Sequence, residues 1–129
     1  MKVYISLPIA GHERTVRSRY EDAKAQLLNK FGKDTEIYGP TNILDFSSGG
    51  LDPEAPVHSW AWHLGEDIKD LLECDVIYLC QGWSWSKGCR TELAVAKANL
   101  IDVQKQAYAD SRLETLEFSS NGSQNLEWK

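Results

Sequence analysis

The chain has 129 residues, the size of one domain, and its 42% hydrophobic and 26% charged residues are the proportions of an ordinary globular fold. A formal net charge of -5 argues against a basic track for nucleic-acid polymers, and no run approaches the roughly 20 apolar residues that cross a bilayer, so no membrane partner is expected. The three cysteines, Cys74, Cys80 and Cys89, contain no C-x-x-C pair and are expected to be reduced, buried thiols of a cytoplasmic protein.

Residues 2–7, KVYISL, read as the first strand. With the broken stretch that follows, this start is too short and too rich in Pro and Gly for a signal peptide. Pro8, Ala10 and Gly11 turn the chain into a loop where small residues let a ligand approach the backbone. The spacing is not G-x-G-x-x-G, so no dinucleotide site is claimed. From His12 or Glu13 to residue 30 the pattern is helical, with Val16, Tyr20, Ala23, Leu27 and Phe31 forming a core stripe. Arg14, Arg17 and Arg19 crowd its first two turns, where cations oppose the helix dipole. They suit either an anionic ligand or a solvated basic face.

Residues 32–34 form a turn and 35–38 a short second strand, ended by Gly39 and Pro40. Residues 41–56 form a loop long enough to serve as a lid or ligand wall. Residues 57–73 read as a second helix, with Trp60, Leu64, Ile68 and Leu71 on its apolar stripe and Glu66, Lys69, Asp70 and Glu73 on its polar side. Asp67 breaks the pattern, since it falls between Trp60, Leu64 and Leu71.

Residues 75–80, DVIYLC, are an apolar run without alternation, as in a parallel strand covered on both faces. A Gly/Trp/Ser loop follows, and a helix starts near residues 86–88 with Ser86 as its cap. Lys87, Arg90, Ala94 and Lys97 share one side of this helix, and Cys89, Leu93, Val95, Ala96 and Leu100 the other. Glu92 falls with the second group. Burying a charge is costly unless something compensates it. Glu92 and Asp67, on helices flanking one strand, are therefore expected to share a cleft. Residues 100–103 are a candidate fourth strand, 104–116 a helix or irregular wrap, and 119–129 a polar tail, giving one domain over 1–118.

The β-α-β-loop-α-β-α-β alternation implies an α/β fold, a parallel sheet of four to five strands with helices on both faces. Ligands of such sheets bind beyond the carboxyl ends of the strands, here residues 6–11, the loop after Tyr38 and residues 81–88. Two carboxylates in a partly dry cleft suit glycosyl chemistry, one attacking an anomeric carbon while the other protonates the leaving group. His12, His58 and His63 lack H-E-x-x-H spacing and no Cys/His cluster is present, so no metal or other cofactor is expected. No G-x-S-x-G elbow marks a serine nucleophile, and Cys89 suits packing better than a pairing with His63. Trp60, Trp62, Trp83 and Trp85 are expected around the cleft, where indole faces stack on flat heterocycles. Of these, Trp60 is expected to be core, more so than Trp83 or Trp85.

The segments VYISLPIAG, EDIKDLLECDVIYL and GWSWSKGCRTELAVA together resemble the nucleoside 2-deoxyribosyltransferase-like superfamily, in particular its small DUF4406-type branch. The resemblance implies a flavodoxin/Rossmann-like three-layer sandwich, a homodimer or larger homo-oligomer, and a small-molecule nucleoside or nucleotide as partner. It implies cleavage of the N-glycosidic bond of a nucleoside or nucleoside 5′-monophosphate, with transfer of the sugar to another base or to water. By the same resemblance Glu92 is the nucleophile that forms a glycosyl-enzyme and Asp67 the acid that assists departure of the base. Tyr4 lies near the nucleophile, and Ser86 contacts the sugar or orients Glu92. Gly88 lets the sugar lie close to the helix start. Ser6, Gly11 and Trp83 complete the expected substrate-binding set. The monophosphate hydrolases carry G-S-I-R-G in the first loop, where this chain has LPIAG, so Pro8 and Ala10 stand in place of the phosphate-gripping Ser and Arg. The C-terminal part, which in relatives supplies a residue to a neighbouring subunit's site, is not recognisable in this sequence. The alternative to an enzyme is a non-catalytic nucleotide-binding or sensing module on the same fold.

Overall fold

A computed structural model of the chain describes residues 1–41 and 58–109. Four parallel strands, β1 (Lys2–Ser6), β2 (Glu36–Tyr38), β3 (Val76–Leu79) and β4 (Asp102–Lys105), form one sheet in the order β2-β1-β3-β4. Among the described residues three α-helices connect or flank them: α1 (Val16–Phe31), α2 (Trp60–Leu72) and α3 (Lys87–Ala98). This is the α/β architecture expected from the alternation, consistent with a flavodoxin/Rossmann-like fold.

The period-2 geometry of a strand sends neighbouring side chains to opposite faces, and the central strands use both. Val3 and Ile5 of β1, with Val76 and Tyr78 of β3, pack against Val16, Ala23 and Leu27 of α1. Tyr4, Ile77 and Leu79 point the other way, into a second cluster with Leu71 of α2 and Cys89, Leu93 and Ala96 of α3. The register sets Tyr4 beside Ile77 and Ser6 beside Leu79. Ser6 shares the face of Tyr4, so the end of β1 presents two hydroxyls toward the layer that carries α2 and α3.

Several boundaries differ from the sequence expectation. The first strand stops at Ser6. The α1 helix begins at Val16, because residues 9–15 are held in successive turns in which His12 N–H donates to the Ile9 carbonyl and Thr15 N–H to that of His12. The α2 helix starts at Trp60, where the Ser59 hydroxyl caps the Trp62 N–H. At the end of α3, Leu100 takes a left-handed φ of 59° and is 93% exposed, so it leaves the apolar side on which periodicity placed it. The fourth strand therefore runs over Asp102–Lys105 instead of 100–103. Its polar composition suits an edge strand, where charge discourages further pairing. After β4, Gln106 to Ala109 form a turn in which Ala109 N–H donates to the Gln106 carbonyl. The expected long loop after Thr41, the remainder of the wrap and the polar tail lie outside the described residues. Cys74, Cys80 and Cys89 are free and buried. Among the described residues no helix is long and apolar enough to cross a membrane.

Candidate active site

A cavity of about 710 Å³ opens at the carboxyl ends of the strands. The loop after β1 supplies one wall with Leu7 to Ala10, α2 another with Trp60, His63 and Asp67, and the start of α3 a third with Ser86 to Cys89 and Glu92. Glu92 and Asp67 thus face one concavity, although they are only 4% and 6% exposed. The two misplaced acids of the helical patterns are brought together as expected.

Glu92 is held at both oxygens. Tyr4 donates its phenol O–H to Oε2 at 2.7 Å and Ser6 donates its hydroxyl to Oε1 at 2.7 Å. Burial pushes the Glu92 carboxyl up to about 7, against the lowering effect of those two donors, and the charge of Asp67 raises it further. Burial also holds the Tyr4 phenol well above its ordinary value, with the Glu92 charge adding to the rise, so Tyr4 remains an O–H donor throughout the physiological range. Asp67 accepts the Thr41 backbone N–H at Oδ1, 2.8 Å away. Its carboxyl is raised by burial, while the Thr41 contacts and the charge of His63 pull the other way.

Ser86 caps α3, accepting the Cys89 N–H at 3.2 Å, and lines the cavity with Gly88. A Cβ built on Gly88 would meet only the Ser86 hydroxyl, at 3.8 Å, so this glycine keeps space open at the helix start where a ligand would lie. Gly11 has a φ of 81° and turns the first loop, but its neighbours Ala10 and His12, not Gly11 itself, line the cavity. Gly82 is a close approach unremarked in the sequence: its Cβ would stand 3.3 Å from the Pro8 ring, so the loops after β1 and β3 touch there.

The tryptophans are rearranged relative to expectation. Trp83 is 7% exposed and packs in the core beside Tyr4 and Leu79, away from the cavity wall. Trp60 and Trp85 line the cavity, with 55% and 47% of their surface exposed. Trp62 stacks on His58 with ring centroids 3.6 Å apart. Lys87 lies 4.9 Å from the centre of the Trp60 ring, joining the starts of α2 and α3 across the cavity rim. The basic residues of the first helix do not build this site. Arg19 donates to the Gln81 carbonyl at 2.7 Å, whereas Arg14 and Arg17 are exposed. The Cys89 thiol is pushed up to about 12, first by burial and then by the charge of Glu92, which suits a packed thiol and not a thiolate nucleophile. Among the described residues no group of three His, Cys, Asp or Glu side chains is placed to hold a metal ion.

A family model described as Domain of unknown function (DUF4406) matches residues 1–105. The chain belongs to the DUF4406 family. No curated protein and no solved structure matches it. The DUF4406 match ends at Lys105, the last residue of β4, so all four strands, the three helices and the cavity-lining residues lie within it.

The buried Glu92 gives this DUF4406 domain a measurable penalty. Its folded value of about 7 exceeds the ordinary 4.5, so the folded chain binds this proton more tightly than the unfolded chain. The site is then neutral in its effect at acid pH and destabilises as pH rises from about 4.5 through about 7, with a full effect near 3 kcal/mol on the order-of-magnitude scale of about 1.4 kcal/mol per unit. Glu92→Gln removes the charge and keeps the shape, and its amide can bond both hydroxyls. The variant is expected to be more stable than the parent by about 2–3 kcal/mol at roughly pH 8.5 and nearly equal to it at roughly pH 4.5. Urea unfolding at the two pH values measures this; an equal difference at both would mean that Glu92 does not titrate as its surroundings require.

Proposed function

We propose that this DUF4406 domain cleaves the N-glycosidic bond of a nucleoside or nucleoside 5′-monophosphate, as the resemblance to nucleoside 2-deoxyribosyltransferase-like proteins implies. The observation that carries the proposal is the convergence of Glu92 and Asp67 on one cavity at the carboxyl ends of the strands. In the reaction a Glu92 carboxylate oxygen bonds to the sugar C1′ as the C1′–N bond breaks. The electron pair of that bond leaves with the base, and the proton of Asp67 passes to the base nitrogen. A water molecule, or a second base, then attacks C1′ and frees Glu92, with Asp67 accepting the proton. Tyr4 and Ser6 hold the carboxylate in place, and Gly88 leaves room for the sugar beside the start of α3.

The wall built by Leu7, Pro8, Ile9 and Ala10 offers no hydroxyl or guanidinium, which favours the unphosphorylated nucleoside. Trp60 and Trp85 line the same cavity and are partly exposed, and a nucleobase is a flat partner for an indole. Base–aromatic stacking is worth about 1–3 kcal/mol by alanine substitution, so Trp85→Ala is expected to raise KM by roughly 5-fold to 150-fold while kcat changes little. Steady-state kinetics separates the two; a fall in kcat at unchanged KM would remove Trp85 from the binding role. The homo-oligomer implied by the resemblance belongs to the same proposal, and sedimentation of the full chain reads it.

The deciding experiment incubates the protein with a panel of nucleosides, deoxynucleosides and their 5′-monophosphates, with and without an acceptor base, and follows free base by chromatography. Free base without acceptor indicates hydrolysis, and a new nucleoside indicates transfer. Tight binding with no turnover would favour the non-catalytic nucleotide-binding or sensing module instead.

A further inference from the structure

Thr41 follows the Gly39–Pro40 pair after β2 and touches two cavity residues of α2 at once. Its backbone N–H donates to Asp67 Oδ1 at 2.8 Å, and its hydroxyl oxygen lies 2.9 Å from Nδ1 of His63. His63 and Asp67 stand one helical turn apart, both line the cavity, and both are buried. A carboxyl group whose one oxygen is taken by an N–H donor is fixed in orientation and carries its proton on the other oxygen. We propose that Thr41 is a positioning residue for Asp67: it clamps one carboxylate oxygen so that the proton is carried on the other, and joins His63 to the same clamp through its hydroxyl.

This rests on the glycosidase reading for its catalytic meaning, but the clamp is a physical contact that can be tested without turnover. The charged and titratable groups that act on Asp67 or feel its charge are His63 and Asp70 on its own helix, Glu92 on α3 and Tyr4 on β1. The Thr41 hydroxyl, held 2.9 Å from His63 Nδ1, anchors the residue whose N–H binds Asp67, and the Thr41 contacts favour the ionised form of Asp67. Thr41→Val removes the hydroxyl and keeps the volume and the backbone N–H, whereas Thr41→Ser keeps the hydroxyl.

The test is a carboxyl-carbon NMR titration of Asp67 in the full chain, assigned with Asp67→Asn, for the parent and both Thr41 variants. Thr41→Val is expected to raise the Asp67 midpoint by about half a pH unit or more, and Thr41→Ser to return it toward the parent. On a cleaved nucleoside, the limb of the kcat/KM profile that reports Asp67 is expected to move in the same direction. Titration curves that superimpose for the parent and Thr41→Val overturn the proposal. So does an equal shift in Thr41→Ser, since that would trace to packing. A midpoint that moves as expected while no nucleoside is cleaved supports the clamp and removes the glycosidase reading, so the two failures are distinguishable.

Discussion

Glu92→Gln is expected to lower turnover by at least about a thousandfold, the scale on which deletion of a covalent nucleophile acts, without loss of ligand binding. Glutamine matches glutamate in shape, and Tyr4 and Ser6 can each meet its amide, by donating to the oxygen or accepting from the nitrogen. The cavity wall is therefore preserved. What is lost is the carboxylate oxygen that forms the bond to C1′. The ionised form of Glu92 accumulates as pH rises through about 7, so the acid limb of kcat/KM in the parent is expected near that value and reports the same group. Two measurements check the assignment. Chromatography of released base gives the rate, and intact mass of the protein with a slow substrate shows the sugar attached to the parent and absent from Glu92→Gln. A variant that still releases base at a comparable rate would place the nucleophile elsewhere, whatever its stability.

The residues that were legible in advance are those whose chemistry contradicts their position in a local pattern. Glu92 occupies an apolar helical position with Cys89, Leu93 and Ala96, and Asp67 interrupts the stripe of Leu64 and Leu71; periodicity alone exposes both. The uninterrupted run in β3 likewise announces a strand covered on two faces. Side-chain partnerships across the sheet are another matter. Tyr4 is expected in the site by resemblance and Ser6 by its place at the carboxyl end of the first strand, but the hydrogen bonds that seat Glu92 between them depend on the phase of β1 relative to α3. The Thr41 clamp joins a loop to a helix more than 20 residues away, a pairing that no local pattern encodes. The tryptophans show the limit of periodicity most directly. Trp60 keeps phase with Leu64 and Leu71, yet the first turn of α2 borders the cavity beyond the strand ends, so the same stripe is cavity wall at one end and core at the other. Trp83 reads as a loop residue but sits in a short 3-10 turn, Trp83–Trp85, that folds the indole back under α3.

Asp67→Asn is expected to reduce kcat by about 10²-fold to 10⁴-fold for ordinary nucleosides, the range of a lost general acid, and by much less for a nucleoside whose base departs without a proton. The asparagine carbonyl can still accept the Thr41 N–H, so the position of the side chain is retained and only the transferable proton is removed. For an adenine or hypoxanthine nucleoside, C1′–N cleavage leaves negative charge on the base unless a proton arrives, and burial raises the Asp67 carboxyl in the direction a proton donor needs. A 7-methylated purine nucleoside carries its positive charge already and expels a neutral base. Parallel kinetics on the two substrates therefore distinguish a proton donor from a residue that merely shapes the cavity. A donor gives a large loss on the first substrate and a small one on the second. An equal loss on both would mean that Asp67 acts through packing or electrostatics, and the proton would have to come from another group lining the cavity.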